Sequence, residues 1–544
     1  MIFLWIILIL LLIFVVMLGV AIVRTLRMTP TAAATAVFPD SDLERAQTYA
    51  QALSGLIQCD TVSSANETSR RKYSAFHKLL REQFPTVHKA ATRTVLNGNL
   101  LLKIPGQDGG IGAPILLMSH HDVVPADGVW KYPPFSGEIA EGSVWGRGTV
   151  DTKSSLFCIL QAAEELLQNG WTPECDVYIA SSCTEEWSGE GAASTVSYLK
   201  EKGVHFGLIL DEGGMIVDSS ITGAKGRYAM IGIAEKGYLD VEFTAHSPSG
   251  HTGIPNKQSS LLQLSQFICK ANKHSLFHAH FSPVLREMLK RMAPNMKKFS
   301  HRLLLGNLWL FEPMLSIILP RISPFAGAMM RTTVSFTTVE GSVSHNLLSH
   351  TSHAYANIRC MPQEGNEEVC KVLGELAQKS GLEMNVLKST PACVQASFNS
   401  DEFYLVEQTI AKVFPNYGVC PCMITNSTDA RFYEYEGIAD TVLRFAPLEV
   451  NHQQYTSIHS IDENISIMAL PCAVNFYRQL LTDYCSKHGK PELAPPKPTR
   501  KSTGRKKPAT TSNTDATVSE SAFEASTPPS SSVETSEQVP TKDE

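Results

Sequence analysis

Three short apolar runs, each closed by histidine or carboxylate residues, constrain this chain more than any other feature. Pro114 to His120 reads as a buried strand that ends in His120, His121 and Asp122. Val177 to Ala180 reads as a second strand, just before Glu185-Glu186. Gly207 to Leu210 reads as a third, ending at Asp211 with Glu212 beside it. From Ser154 to Leu167, apolar residues at 156, 159, 160, 163, 166 and 167 recur at helical spacing, and Gly170 is a natural stop. Strands alternating with helices predict an α/β fold with a mainly parallel sheet. In such sheets ligands bind beyond the carboxyl ends of the strands. Here that edge collects imidazole and carboxylate groups.

The alternation extends from about residue 42 to 486 and breaks between 235 and about 360. Within the break, Tyr238–Ala245 and Arg331–Thr338 read as strands, and Leu261–Asn272 and Pro283–Met292 as helices. Leu303 to Ile322 is strongly apolar. Gly306, Glu312-Pro313 and Pro320 interrupt it, which argues against a membrane span and for packed helices, with an acyl-chain or membrane-contacting patch as the second reading. The charge balance, 47 basic against 53 acidic residues, lacks the electrostatic footprint of a nucleic-acid-binding domain. Twelve cysteines in 544 residues are too dilute for a disulfide scaffold, and the C-x-C pair Cys420 and Cys422 reads equally as two buried thiols.

The two ends differ. Ile2 to Val23 is an uncharged apolar run long enough to span a bilayer as a single-pass anchor. A cleaved signal peptide is the alternative, with Ala32–Ala36 as its small-residue stretch. Arg24 and Arg27 after the run weigh against a lumenal domain by the positive-inside rule. Acceptor triplets at Asn66, Asn426 and Asn464 weigh for one. The expectation is a membrane protein whose body faces a secretory, vacuolar, lysosomal or extracellular compartment, or a secreted one. From Lys487 to Glu544 the chain is rich in Pro, Ser, Thr, Lys and Glu and reads as a disordered tail, basic first and acidic last.

The chemistry-bearing residues form an ordered series. His120-x-Asp122 offers an imidazole with a carboxylate that can fix its tautomer. Asp151, after Gly146-Arg147-Gly148, reads either as a helix cap or as a carboxylate whose two oxygens hold two cations. Glu185-Glu186 places like charges side by side, which is costly unless a cation neutralises them. One glutamate can then ligate while the other acts as general base. His459 lies far along the chain, so only the fold could bring it to the others.

Taken together, Ser119-His120-His121-Asp122-Val123-Val124-Pro125-Ala126, Trp145-Gly146-Arg147-Gly148-Thr149-Val150-Asp151-Thr152-Lys153, Thr184-Glu185-Glu186, Leu210-Asp211-Glu212-Gly213 and His459 resemble, in order, a dinuclear-zinc hydrolase family. That family includes aminoacylase-1, succinyl-diaminopimelate desuccinylase, carnosinase and carboxypeptidase S. The branch most resembled contains carboxypeptidase S and the N-fatty-acyl-amino-acid synthase/hydrolase. The resemblance implies a mixed sheet flanked by helices with an inserted α+β lid of the dimerisation type. Its expected segments are 42–234, lid 235–362, and 363–486, with a possible homodimer. It implies two Zn²⁺ per chain: His120 and Asp211 on one, Glu186 and His459 on the other, and Asp151 between them. Asp122 would orient His120, and Glu185 would be the general base. In the lid, His251 would polarise the scissile carbonyl, and Asn346 and Arg359 would bind substrate. Ser249, Leu347-Leu348-Ser349 and Asn426-Ser427 depart from the family's usual residues at their positions.

The activity implied is hydrolysis of the amide bond in peptides with a free C-terminus or in N-acyl amino acids. A catalytically silent, membrane-tethered binding protein would keep the fold, but it would be expected to lose a ligand or the base. This sequence keeps them all.

Overall fold

The computed structural model describes residues 2–30, 38–66, 70–272 and 276–488. The tail from 489, the Ala32–Ala36 stretch and most of the Asn66 triplet lie outside the described residues. The apolar run at 115 forms strand Ile115–His120 near the middle of a ten-stranded sheet. Val177–Ser182 and Phe206–Asp211 flank it in parallel, and Ala439–Arg444 extends the parallel set. Antiparallel strands Asn99–Ile104 and Thr92–Leu96 finish one side. The continuous apolar runs follow from burial on both faces. Ile115 and Leu117 face one core with helices Lys153–Gln168 and Ala469–His488. Leu116 and Met118 face another with helix Gly191–Glu201.

The inserted sheet obeys a different rule. Strands Thr333–Glu340, Thr351–Cys360, Gly237–His246 and Leu382–Thr390 run antiparallel in that order. Burial alternates along Gly237–His246 and Thr351–Cys360, because only one face is covered, by helices Ser260–Ala271 and Gly365–Lys379. This sheet continues past the expected end at 362: helix Gly365–Lys379 and strand Leu382–Thr390 complete it. The helices between 283 and 330 leave that core. Val284, Met288, Met292, Leu315 and Met329 pack into the core of the large sheet instead.

The apolar segment at 303–322 breaks at the first of its expected interruptions, Gly306, and not at its prolines. Helices Phe299–Leu305 and Leu308–Ile322 meet at Gly306–Asn307 with a bend of 103°, and Pro313 and Pro320 sit inside the second helix. Helix Ile2–Leu26 is exposed along most of its length, with Met17, Leu18 and Ile22 half-buried and Ala21 and Thr25 buried.

Candidate active site

His120 is the last residue of its strand, and its ring is fixed from behind. Nδ1 lies 2.9 Å from the Asp122 carbonyl oxygen, so a proton there donates to it and Nε2 points forward. That Nε2 is 3.0 Å from Asp151 Oδ1 and 3.6 Å from Glu212 Oε1. The other Asp151 oxygen, Oδ2, is 3.1 Å from His459 Nε2, which is 2.9 Å from Glu186 Oε2. A continuous series results: Glu212, His120, Asp151, His459, Glu186. Asp151 is no helix cap; Thr152 takes that place, and the Asp151–Thr152 peptide is cis. His459 reaches the series from a left-handed backbone position, φ 57°.

Asp122 supports two of these residues, His120 and Glu186, together with Glu185. Its Oδ1 accepts from the Glu185 amide and its Oδ2 from the Glu186 amide, both at 3.2 Å, and Oδ1 lies 3.5 Å from His120 Nδ1. Ser63 Oγ donates to it at 2.6 Å. Glu186 Oε1 accepts from the Val124 amide at 3.2 Å. Glu185 lines the same hollow as Glu212, Asp429 and Tyr433.

Asp211 and Glu212 are placed otherwise than the resemblance implied. Asp211 is committed to the backbone: Oδ1 accepts from Glu212 N and Oδ2 from Ala430 N, each at 2.9 Å. Glu212 is the acid that faces His120. Adjacent acids at a strand end left this open in the sequence. Glu463 is a second residue that the motifs did not single out. Its Oε1 accepts from the amides of Gly148, Val150 and Asp151, and its Oε2 accepts from Arg147 Nη1 at 2.6 Å. It thereby fixes the loop that presents Asp151. Its only sequence signal was its position four residues after His459.

The electrostatics fit a cation. Burial, followed by neighbouring charges, raises the carboxyl pKa values of Glu185, Glu186 and Glu212. Asp211 is raised to about 6 by burial and then by Asp429. Burial opposes ionisation of Asp151, but hydrogen bonds from His120 and His459 outweigh it and hold the carboxyl below its usual range. His459 is pushed up to about 10 by its hydrogen bonds to Asp151 and Glu186. So many buried acids in one hollow are costly without a counter-charge. One ligand atom each from His120, Asp151 and Glu186 falls within 4.8 Å of the others, and so does the set His120, Glu185 and Glu212. Imidazole nitrogens with carboxylate oxygens are donors that zinc accepts.

The lid residues divide into two groups. Arg359 crosses to the large sheet: Nη1 donates to Ser427 Oγ at 3.2 Å, and its guanidinium lies 4.7 Å from the Tyr238 ring centroid. His251 and Asn346 lie together instead, on the short ladder of 250–251 with 347–348. The exposed His251 ring accepts from the Gly253 amide at 2.9 Å, and Asn346 Oδ1 accepts from Ser344 Oγ at 2.6 Å. Among the described residues, no hydrogen bond or ion pair joins either to the acidic series.

Beyond Glu212 the chain turns at Gly213–Gly214, where a Cβ on Gly214 would sit 2.0 Å from the Met230 carbonyl oxygen. Only glycine permits that approach. Behind the turn lies an apolar cavity of about 340 Å³. Its walls include Met215, Met230, Met288, Met292, Met296 and Met329, and Thr425 and Asn426 stand at its polar end. Asn464, one of the acceptor triplets, is buried and donates to the Asp462 carbonyl.

The parallel sheet and the acid–imidazole series at its carboxyl edge define a hydrolase of the metallopeptidase class. The chain belongs to peptidase family M20/M25/M40, whose profile matches residues 116–483. It is 31% identical over 448 residues to the N-fatty-acyl-amino acid synthase/hydrolase PM20D1 of Xenopus tropicalis, covering 81% of this chain and 86% of the relative. It is 30% identical over 453 residues to the probable carboxypeptidase S-like 2 of Dictyostelium discoideum, covering 81% and 85%. Its fold matches the M20 family metallo-carboxypeptidase Sso-CP2 from Sulfolobus solfataricus with a TM-score of 0.61 at 18% identity, covering 80% of this chain and 99% of the other. Family and fold thus agree with what the strand-end motifs implied.

Proposed function

We propose that this hydrolase acts on N-acyl amino acids with a long apolar acyl group, cleaving their amide bond and, at high reactant levels, forming it. The observation that carries the choice over peptides is the methionine-walled cavity directly behind Glu212. Its volume lies within the range of about 300–1,000 Å³ found for small-ligand pockets. Methionine side chains are unbranched and adaptable, which suits chains of different length.

The donor set suits two Zn²⁺: His120 and Glu212 would hold one, His459 and Glu186 the other, and Asp151 would serve both. When bound, the metal supplies charge that polarises the amide carbonyl and acidifies water. Glu185 takes the proton from the attacking water and delivers it to the leaving amine. Its buried surroundings suit that role by raising its proton affinity. Asp122 is a positioning residue that holds the Glu185-Glu186 turn against His120. Arg359, with its planar fork of donors, reads the amino acid carboxylate. His251 and Asn346 reach the substrate only if the lid moves.

Helix Ile2–Leu26 serves as a retained anchor in this reading. Buried Asn307 Nδ2 donates to Ala21 O at 3.3 Å and Thr25 Oγ1 at 3.0 Å as well as to Leu303 O at 2.9 Å, and removal of the helix would take away two of these three acceptors.

The test is an acyl-length series of N-acyl amino acids with the full chain, with and without chelator, beside Glu185→Gln. Each buried methylene contributes about 0.8 kcal/mol, so kcat/KM is expected to rise roughly fourfold per methylene until the cavity is full. Glu185→Gln is expected to remove turnover while keeping bound metal. A flat acyl-length profile refutes the cavity reading. Full activity in Glu185→Gln refutes the base.

A further inference from the structure

The helices that wall the cavity also form an exposed apolar face. Trp309, Met314, Ile317, Ile318, Ile322 and Phe325 are between 39% and 70% exposed on the helices Leu308–Ile322 and Pro324–Met330. A contiguous patch of that kind marks an interaction surface. From Lys297 to Arg331 the only acid is Glu312, and Arg286 neutralises it through a two-pronged contact at 2.6 and 2.9 Å.

Two further observations say what covers this face. The first is its attachment to Ile2–Leu26. Asn307, at the bend between the two helices, is tied to Ala21 and Thr25 near the end of that helix. At about 1.5 Å per residue its 25 residues exceed the roughly 30 Å of a bilayer core. The second is charge. Arg24 and Arg27 at the end of the N-terminal helix, Lys297 and Lys298 just before helix Phe299–Leu305, and Arg321 near the end of Leu308–Ile322 are all exposed, as cationic groups at a lipid headgroup layer are. The cavity itself reaches this face, because Phe325 is both a wall residue and 58% exposed.

We propose that this face seats in the leaflet beside the N-terminal helix and that the cavity takes its acyl chains laterally from that leaflet. The delivery half rests on the acyl-cavity reading above; the seat does not. An amphiphile held in the bilayer then slides its chain past Phe325 toward the Gly213–Gly214 turn. Its acyl group remains in an apolar medium throughout, so no step exposes it to water.

The experiment uses the full chain reconstituted in phosphatidylcholine vesicles, with and without brominated phosphatidylcholine. Bromine quenching that is partly lost in Trp309→Phe is expected; no change in quenching between the two proteins overturns the seat. Ile317 and Ile322 are outside the cavity wall, so the double variant Ile317→Glu/Ile322→Glu tests delivery. It is expected to lower turnover of vesicle-held N-oleoyl amino acid by about tenfold or more and leave soluble N-hexanoyl amino acid unchanged. An equal loss on both substrates, or no loss on either, overturns lateral delivery. An acyl-length profile that is flat in the wild type refutes the cavity reading, and Trp309 quenching then decides the seat alone.

Discussion

Glu463→Gln separates the support of the site from its chemistry. The wild-type carboxylate is fully buried and has no spare oxygen. One oxygen takes three backbone amides of the 148–151 loop, and the other takes Arg147 at 2.6 Å. Glutamine keeps the first oxygen but turns an amide N–H₂ toward the guanidinium. A donor then faces a donor, and Arg147 becomes a buried cation without its partner. Breaking a buried pair in this way costs about 3–5 kcal/mol. With unfolding entropy of roughly 2.1 cal/mol/K per residue over about 450 ordered residues, the melting temperature is expected to fall by about 3–5 °C. Asp151 hangs on the same loop, so zinc affinity is expected to drop about 10–100-fold. Scanning calorimetry and zinc titration read both effects. The double variant Arg147→Met/Glu463→Gln removes the donor conflict and keeps the acceptor for the amides. It is therefore expected to regain most of the lost stability. A Glu463→Gln protein melting within about 1 °C of wild type would refute the reasoning, as would a double variant less stable than the single one.

Two further outcomes test the metal assignment. Glu212→Ala is expected to bind about one zinc in place of about two. Asp211→Asn is expected to keep its metal and lose about 1–3 kcal/mol of stability, because an amide group would face the Glu212 or Ala430 N–H; metal analysis giving the reverse pattern would return the ligand role to Asp211. Zinc uptake near pH 7 is expected to release protons. His459, raised to about 10, is protonated in the metal-free protein and must become neutral to ligate. Apparent zinc affinity therefore falls as pH falls, by about tenfold per unit for each proton released. Calorimetry in buffers of different ionisation enthalpy would count those protons, and a heat that does not depend on the buffer would rule the linkage out.

The legible part of this protein is the part whose causes are local. Strand Ile115–His120, helix Lys153–Gln168 and strand Phe206–Asp211 follow from apolar runs and periodicity in single windows, and helix Pro283–Met292 coincides with its expected bounds. The gathering of His120, Asp151, Glu186 and His459 followed from the motif series. What stayed hidden depends on partners far along the chain. Asp211 lines the hollow, but one of its oxygens is taken by the amide of Ala430, 219 residues away. Glu463 acts on amides more than 300 residues away. The contact of Asn307 with the end of the N-terminal helix joins residues 282 and 286 positions apart. Of the three expected interruptions in the apolar segment, Gly306 is where the helices part, while Pro313 and Pro320 lie inside a helix.

The two cores give the two ends of a substrate different mechanical footings. The cavity helices between 283 and 330 share the core of the large sheet, so the cavity proposed for the acyl group is packed into the same body as the acid–imidazole series. Arg359 belongs to the antiparallel sheet, which has a core of its own, and meets the catalytic body through Ser427. The chain passes between these bodies at Glu235–Lys236, and both residues are clamped. Glu235 accepts from Arg444 Nε at 2.5 Å and Thr428 Oγ1 at 2.6 Å, while Lys236 Nζ donates to the carbonyls of Ala328 and Arg331. Thr428 and Ser427 adjoin the polar end of the cavity; Ala328 and Arg331 adjoin the helix that carries Met329. The joint is thus tied to both ends of the proposed substrate path. In the proposed reading, binding of the acyl chain and recognition of the carboxylate would bear on the same pair of residues, which would allow remote binding energy to be spent on aligning the amide at Glu185.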